Sequence, residues 1–213
     1  VLSKVENIFK IGFSKDPSLI IAANKACECF VSQNAITSTL GGSRKTAEFL
    51  ARYADLLLRK DFTPKIARNT EEGISHMMKV YRFANDKDIF QKFYGNFLAR
   101  RLVKNQSVSE ESERSVINSL EKTCGLTCLR RYNQMLKDLN SARELNGKYH
   151  EWLDERFQKK PIPDFVSTSI TILNSLIWPI QPRSALRIPF ELETSVNTMK
   201  EFYTMQCEKL QQG

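Results

Sequence analysis

The sequence contains few of the residues that interrupt regular secondary structure, with eight glycines and seven prolines in 213 residues. It also lacks an uninterrupted apolar run of about eighteen residues, the length that a helix needs to cross a bilayer. The 26% of charged residues and 41% of apolar residues argue against disorder and are enough to build a hydrophobic core. We therefore expect a soluble, globular protein with no membrane partner.

Cysteine and histidine are scarce as well, and their spacing matches no recognised metal site. An odd number of cysteines without a regular framework argues against a secreted disulfide scaffold. Cys124 and Cys128 could share a helix face, but Cys27 and Cys29 lack the spacing of a zinc knuckle. Only the two histidines could complete a site. We expect buried, reduced thiols in an intracellular protein, with no metal and no cofactor. The residues concerned are Cys27, Cys29, Cys124, Cys128, Cys207, His76 and His150.

No set of residues in the sequence has the pattern of a catalytic site. The serines are not surrounded by a nucleophile elbow or another triad motif. The Gly41-Gly42 pair lacks the preceding strand and the following lysine and serine of a phosphate-binding loop. Adjacent carboxylates such as Glu71 and Glu72 fit the start of a helix better than an acid/base pair. We therefore expect the chain not to be an enzyme.

From residue 1 to about 157 the apolar residues recur at intervals of three and four, which predicts a bundle of packed helices. Several local signals mark where the helices begin and end. Asp16 before Pro17 and Ser109 before Glu110 are typical of helix starts, and Gly125 is typical of a helix end. The predicted helices are 1–13, 17–31, 46–60, 69–82, 86–104, about 110–124 and about 129–157.

Two of these helices have side chains whose environment the pattern predicts. In helix 46–60 we expect an apolar stripe, with Asp55 on the remaining surface. In helix 86–104 we expect an aromatic stripe that belongs to the core, and cations at the end that complement the helix dipole. The first stripe consists of Phe49, Leu50, Tyr53, Leu56 and Leu57, the second of Phe90, Phe93, Tyr94 and Phe97, and the cations are Arg100, Arg101 and Lys104.

The character of the sequence changes at Pro161 and Pro163, because two close prolines cannot continue a helix and β-branched residues follow. Polar and apolar residues alternate over 168–172, which predicts one strand, and a last helix is predicted from about 189 to 210. One strand cannot stand alone, so its partners must lie outside these residues. The predicted fold is mainly α, with a helical bundle at 1–157 followed by the first strand and a helix of an incomplete α/β subdomain at 158–213.

The net charge of +8 and the pI near 9.3 predict attraction to an acidic partner without identifying it. A basic helical nucleic-acid-binding domain is one alternative. It is not favoured, because the aromatic residues fall in apolar stripes instead of among the basic residues, where they could stack on bases. A general helical adaptor module is a second alternative that composition alone would allow.

Several segments, in a fixed order along the chain, carry a family resemblance. They are NKAC at 24–27, LARYAD at 50–55, DKDIFQKFY at 86–94 and LARRLV at 98–103, followed by Trp178-Pro179, Ile188-Pro189 and Phe202-Tyr203. Together these segments resemble the cullin family, and within it the cullin 1 and cullin 2 groups most. The resemblance extends from about residue 15 to the end of the chain. The run LTCL at 126–129 and the run DFVS at 164–167 depart from the family pattern.

The resemblance implies a non-catalytic scaffold segment of a cullin-RING ubiquitin ligase, which holds the RING-finger subunit and a ubiquitin-conjugating enzyme in position. It implies cullin-associated regulators and the rest of a cullin chain as further partners, in the cytoplasm and the nucleus. Val1 is not a methionine and no targeting signal follows it, so we expect an internal piece of a longer chain. The lysine that receives a ubiquitin-like modifier in the family would then lie outside it.

The resemblance also implies two binding sites. A basic patch for the acidic tail of the conjugating enzyme would consist of Arg59, Lys60, Lys65 and Arg68. A strand that pairs with the RING-finger subunit would consist of Thr168, Ser169, Ile170, Thr171, Ile172 and Leu173, with Ile170 and Ile172 on the buried face. Cations that complement a helix end and ordinary core residues are the simpler explanations of the same residues.

Overall fold

The computed structural model describes residues 4, 8, 16–34, 37, 42–61, 69–121, 126–159, 165–169, 171–180 and 187–211. Within these residues the chain forms seven α-helices, and none of the helices is both long and apolar enough to cross a membrane. The prediction of a mainly α fold is confirmed. The helices are α1 (Pro17–Ser32), α2 (Ser43–Leu57), α3 (Thr70–Tyr81), α4 (Lys87–Val103), α5 (Glu110–Glu121), α6 (Leu126–Lys159) and α7 (Phe190–Gln211). Apart from residues 4 and 8, the predicted helix 1–13 lies outside the described residues.

The chain divides into two compact units, Val1–Gln134 and Met135–Gly213, and the division falls within α6. The predicted domain boundary at 157/158 instead lies two residues before the end of that helix, and its position stays a prediction. The two units are described separately below.

The helix starts confirm the local signals in the sequence. The Asp16 carboxylate accepts a hydrogen bond from the backbone N–H of Ser18 at 2.8 Å, and Ser109 Oγ accepts one from the N–H of Ser112 at 3.1 Å. Each bond satisfies an N–H that has no partner within its own helix. Gly42 precedes α2 with a φ of 79°, a conformation that a residue with a Cβ adopts only with strain.

Helix α1 is the least buried helix of the first unit. Of its 16 residues only Val31 and Ser32 are buried, near the end where Thr46 Oγ1 of α2 donates a hydrogen bond to the Val31 carbonyl at 3.1 Å. Ile21 and Phe30 are 68% and 59% exposed. The rest of α1 therefore gains little from packing against the described residues.

The core of the first unit is aromatic and centres on α4. Phe90 and Tyr94 are fully buried, with the Phe90 ring 4.5 Å from the Tyr81 ring and the Tyr94 ring edge-on to Tyr132 at 5.3 Å. Such ring pairs stabilise a core beyond the area that they bury. A Cβ at Gly95 would approach Tyr132 Cε1 to 3.2 Å, so the glycine leaves room for this contact.

The predicted aromatic stripe of α4 is therefore confirmed for the two rings that face this core. Phe93 and Phe97 are only half-buried and stack on each other at 6.4 Å.

The predicted apolar stripe of α2 is wrong for its two outer members. Phe49 and Leu56 are 43% and 39% exposed, and the buried face instead combines Leu50 and Leu57 with small residues. Alanines on a helix face let a neighbouring helix approach closely, so the large side chains at 49 and 56 face outward. The small residues are Ala47, Ala51 and Ala54.

The second unit is built from the C-terminal part of α6 and from α7. Its core contains Tyr149, Leu153, Met199 and Phe202, and the Phe202 ring lies 5.3 Å from Tyr149 and 5.4 Å from Trp152. The prediction of a last helix over about 189–210 is confirmed by α7.

Side-chain hydrogen bonds hold the segment 165–180 onto these helices. Ser195 Oγ of α7 donates to the carbonyl of Val166 at 2.8 Å and accepts from its N–H at 3.1 Å. Trp178 Nε1 donates to Asp138 Oδ2 of α6 at 2.8 Å, and the Trp178 ring is buried.

The predicted strand at 168–173 has no ladder in the part of the chain that the structure describes, where residues 168, 169 and 171–173 are neither strand nor helix. Ile170 lies outside the described residues. A strand needs a partner strand to satisfy its backbone groups, and the sequence predicts that this partner lies outside the chain. The strand therefore stays a prediction.

Replacing Phe202 with alanine should lower the free energy of unfolding of the second unit by about 3–5 kcal/mol, because it deletes a fully buried ring that contacts Tyr149 and Trp152. Chemical denaturation followed by circular dichroism measures the change. As a control, Lys200→Ala at an exposed position of the same helix should change it by less than about 0.5 kcal/mol. Equal stability of the two variants would show that the ring does not support the core.

Candidate functional site

The ends of α2 and α4 meet in a short antiparallel backbone pairing. The Val108 N–H donates to the Leu58 carbonyl at 2.9 Å, the Lys60 N–H donates to the Gln106 carbonyl at 3.0 Å, and Arg59 and Ser107 form the bridge between these bonds. We call residues 58–60 and 104–108 the α2–α4 corner. It fixes the backbone of two of the four residues of the predicted basic patch.

The end of α4 has the hydrogen bonds of a Schellman motif. The Gln106 N–H donates to the Arg101 carbonyl at 2.8 Å and the Asn105 N–H to the Leu102 carbonyl at 3.1 Å. Asn105 has a φ of 52°, and in the described part of the chain it is the one non-glycine residue with a positive φ. The carbonyl of Asn105 accepts a hydrogen bond from Lys60 Nζ at 3.1 Å.

Beneath the corner lies a buried ion network centred on Arg101, whose side chain is fully buried. Its Nε and NH2 atoms donate to the two carboxylate oxygens of Glu113 on α5, both at 2.9 Å, and its NH1 donates to Asp55 Oδ1 on α2 at 2.6 Å. Glu113 also accepts from Ser107 Oγ of the corner at 2.7 Å. One guanidinium thus connects α2, α4 and α5.

Asp55 is shared between this network and the surface. Its Oδ2 atom lies 2.9 Å from NH2 of Arg59, whose side chain is 39% exposed. We call Asp55, Arg59, Arg101 and Glu113 the four-charge network. Its two cations and two carboxylates balance, so the network is neutral as a whole, and the strong buried pairs offset the desolvation of the charges.

The surroundings change the pKa of Arg101 and of the neighbouring Tyr94. Burial alone would lower the pKa of Arg101, but the charge and hydrogen bonds of Glu113 outweigh it, with further contributions from Tyr94 and Asp55, and the pKa is raised. Burial raises the pKa of Tyr94 well above its ordinary value, and the nearby Glu113 charge raises it further, against the opposing effect of Arg101. The guanidinium therefore stays charged and the phenol stays neutral at physiological pH.

Two sequence predictions are wrong at this site. Asp55 is buried instead of on the surface, and Arg101 is in the core instead of in a cation cluster at the helix end. Helical spacing contained a signal for both. Asp55 follows Ala51 by four residues, and Arg101 follows Leu98 by three, so each shares the buried face of its helix.

The predicted basic patch is brought together only in part. Arg59 and Lys60 lie side by side in the corner, with Arg59 bound to Asp55 and Lys60 exposed, while Lys65 and Arg68 lie outside the described residues. The sequence pattern assigned Lys104 to the end of α4 and not to this patch. In the structure Lys104 is exposed and precedes Asn105, whose carbonyl accepts the hydrogen bond from Lys60.

The predicted RING-binding strand exposes part of its apolar surface in this chain. Ile172, which we expected on a buried face, is 39% exposed, and the nearby Leu176 is 91% exposed. Thr168 Oγ1 is buried without a hydrogen-bond partner in the described structure.

Among the described residues, no group of three or more histidine, cysteine or acidic side chains is arranged to hold a metal ion. The four described cysteines, Cys27, Cys29, Cys128 and Cys207, are free thiols. The prediction that they are buried is wrong, because Cys29 is exposed and the other three are half-buried. Cys124 lies outside the described residues.

Comparison with known proteins identifies the family of this chain. The family model of the cullin alpha solenoid domain matches residues 1–146, so the chain belongs to the cullin family. Cullin-1 of Dictyostelium discoideum is 31% identical over 207 residues, which cover 97% of this chain and 26% of that protein.

Two nematode relatives show the same partial coverage. Cullin-1 of Caenorhabditis elegans is 28% identical over 206 residues, covering 95% of this chain and 26% of that protein. Cullin-2 of the same organism is 29% identical over 174 residues, covering 75% and 22%. The chain therefore spans about a quarter of the length of these relatives.

Arg101→Met should lower the free energy of unfolding of the first unit by about 3–5 kcal/mol, because it leaves the buried carboxylates of Asp55 and Glu113 without their common cation. Denaturant unfolding measures the loss. The control is Arg100→Met, at an exposed position of the same helix, which should change stability by less than about 0.5 kcal/mol. A loss below about 1 kcal/mol for Arg101→Met would mean that the network contributes little.

Tyr94→Phe should make the first unit more resistant to alkali. Since the pKa of Tyr94 is raised in the folded state, folding favours the neutral phenol. The resulting contribution to the free energy of unfolding is present below about pH 10 and is lost as the pH rises through the folded pKa. Phenylalanine cannot ionise, so the variant should lose less stability than the unchanged protein above about pH 10 and behave similarly at pH 7. Identical alkaline unfolding curves would contradict this expectation.

Proposed function

We propose that this chain is a non-catalytic scaffold segment of a cullin-RING ubiquitin ligase, where it positions the RING-finger subunit and a ubiquitin-conjugating enzyme. The observation that carries the proposal is membership of the cullin family over most of the chain. The structure supports a positioning role, because the four-charge network and the backbone pairing fix α2, α4 and α5 against one another.

The basic patch is the proposed landing site for the acidic tail of the conjugating enzyme. Its proposed members are Arg59, Lys60, Lys65 and Arg68, of which Lys60 is exposed at the corner. Exposed charges act over about 8 Å at physiological salt, so such a patch mainly raises the association rate and weakens as salt increases. That behaviour suits a conjugating enzyme that must bind and leave repeatedly.

The segment 168–173 is the proposed docking strand for the RING-finger subunit. Its apolar side chain Ile172 and the nearby Leu176 are exposed, which supports coverage by another chain or by the rest of the α/β subdomain. In β-augmentation the main chain supplies affinity and alternate side chains supply the fit. The rest of the cullin chain and cullin-associated regulators are further proposed partners, in the cytoplasm and nucleus.

The buried aromatic residues favour this proposal over a nucleic-acid-binding domain. Phe90, Tyr94 and Tyr132 lie in the core, where they cannot stack on bases. Weak binding to duplex DNA that changes little with salt concentration would agree with the scaffold. An affinity for DNA that falls steeply as salt rises would favour the alternative.

The RING-finger subunit should bind the 213-residue chain at least about tenfold more weakly than it binds a longer cullin with a complete α/β subdomain, because one strand supplies only part of a sheet. Calorimetric titration of both chains measures the difference. In the longer chain, Ile172→Asp should weaken binding, whereas Thr171→Asp on the opposite face should not.

Equal affinities for the two chains would show that the helical units, not the sheet, provide the docking surface.

The scaffold role itself is tested by ubiquitin chain formation with the whole protein, the RING-finger subunit and the conjugating enzyme. If removing the whole protein left that reaction unchanged, the proposed function would be wrong.

A further inference from the structure

We propose that Lys60 and Lys104 are the residues of the α2–α4 corner that contact an acidic partner, and that Asp55 keeps Arg59 from doing so. This inference rests on the proposed function, since it specifies which cations of the basic site bind carboxylates. It adds Lys104 to the site and removes Arg59 from direct contact.

Arg59 is already bound to a carboxylate. Its NH2 lies 2.9 Å from Asp55 Oδ2, and Asp55 is held in place by the buried Arg101 at 2.6 Å. A carboxylate of a partner would therefore have to displace the carboxylate of Asp55, which is already held in position and loses no further conformational freedom when it pairs with Arg59. Because the four-charge network is neutral as a whole, Arg59 also contributes little field beyond the corner.

Lys60 and Lys104 differ from Arg59 in this respect. Both are exposed, and within the described ranges neither has a carboxylate within the 4.0 Å of an ion pair. Lys60 Nζ donates to the Asn105 carbonyl, but a carbonyl carries no net charge, and an ammonium keeps two further donors. The positive charge of Lys60 therefore remains available to a partner.

The backbone of the corner holds the two lysines in one region. Lys60 Nζ bonds to Asn105, and Lys104 is the residue that precedes Asn105. The two lysines could instead serve only to offset the partial negative charge at the end of α4. That explanation fits less well, because the Schellman bonds already satisfy the carbonyls of Arg101 and Leu102.

Among the described residues, two other exposed charges lie close to the lysines along the chain. Asp61 follows Lys60 and opposes an anion, while Arg100 lies one turn before Lys104 on the same helix and favours one. These two charges have opposite signs, so within the described ranges the net positive charge of this region comes from the two lysines.

The test measures binding of a fluorescent peptide of about ten aspartate and glutamate residues to the whole protein by anisotropy, without ligase components. Lys60→Gln, Lys104→Gln and Arg59→Gln each remove one positive charge. We expect the two lysine variants to weaken binding about three- to tenfold at physiological salt and Arg59→Gln less than about twofold.

Lys92→Gln is the matched control. Lys92 is exposed on α4 and lies twelve residues before Lys104, or about 18 Å along the helix, beyond the screening length at physiological salt. Lys92→Gln should change the affinity for the peptide by less than about twofold. Lys104→Arg, which keeps the positive charge, should restore the affinity that Lys104→Gln loses. Thermal unfolding of each variant shows that it is folded, and Lys104→Gln tests the proposal even if Arg59→Gln is unstable.

The inference is overturned if Arg59→Gln weakens binding as much as Lys60→Gln, if Lys104→Gln has no effect, or if the peptide does not bind. A failure of the proposed function looks different. In that case the lysine-dependent peptide binding persists, while ubiquitin chain formation does not depend on the protein.

Discussion

The bidentate pairing of Arg101 with Glu113 is the interaction on which the rest of the first unit depends. A buried guanidinium is tolerated only when its donors are satisfied, and here Glu113 satisfies two sites and Asp55 a third. Each carboxylate belongs to a different helix, so α2 and α5 are fixed relative to α4 by hydrogen-bond geometry as well as by apolar packing.

The same network links the core to the candidate site. Asp55 contacts the buried Arg101 through one oxygen and the rim residue Arg59 through the other. Glu113 likewise contacts Ser107, which pairs with Arg59 across the corner. The pairing of charges in the core therefore affects which charges are available at the surface. Because Arg59 is paired with Asp55, fewer cations are available to a partner than the sequence suggests.

The features that the sequence predicted correctly are local ones. Helix starts at Asp16 and Ser109 follow from residues within one turn, and the period of the apolar residues predicted the mainly α fold. The network was not predicted, because Asp55 and Arg101 are 46 residues apart and each was assigned to the surface by its charge. The α2 stripe was misassigned because bulk was taken as the sign of burial, whereas its alanines make the contact. The strand at 168–173 stays a prediction, because a strand forms only with a partner strand and the alternating pattern of one segment does not identify that partner.

The limited burial of α1 has a consequence for how this region moves. A helix anchored mainly near Val31 and Ser32 can open locally at a small fraction of the free energy that unfolds the aromatic core. Its amide hydrogens should therefore exchange with solvent through such openings, long before those of α4. We therefore expect α1 to open as a separate cooperative segment, and any contact that covers Ile21 and Phe30 would lengthen the time that it stays helical.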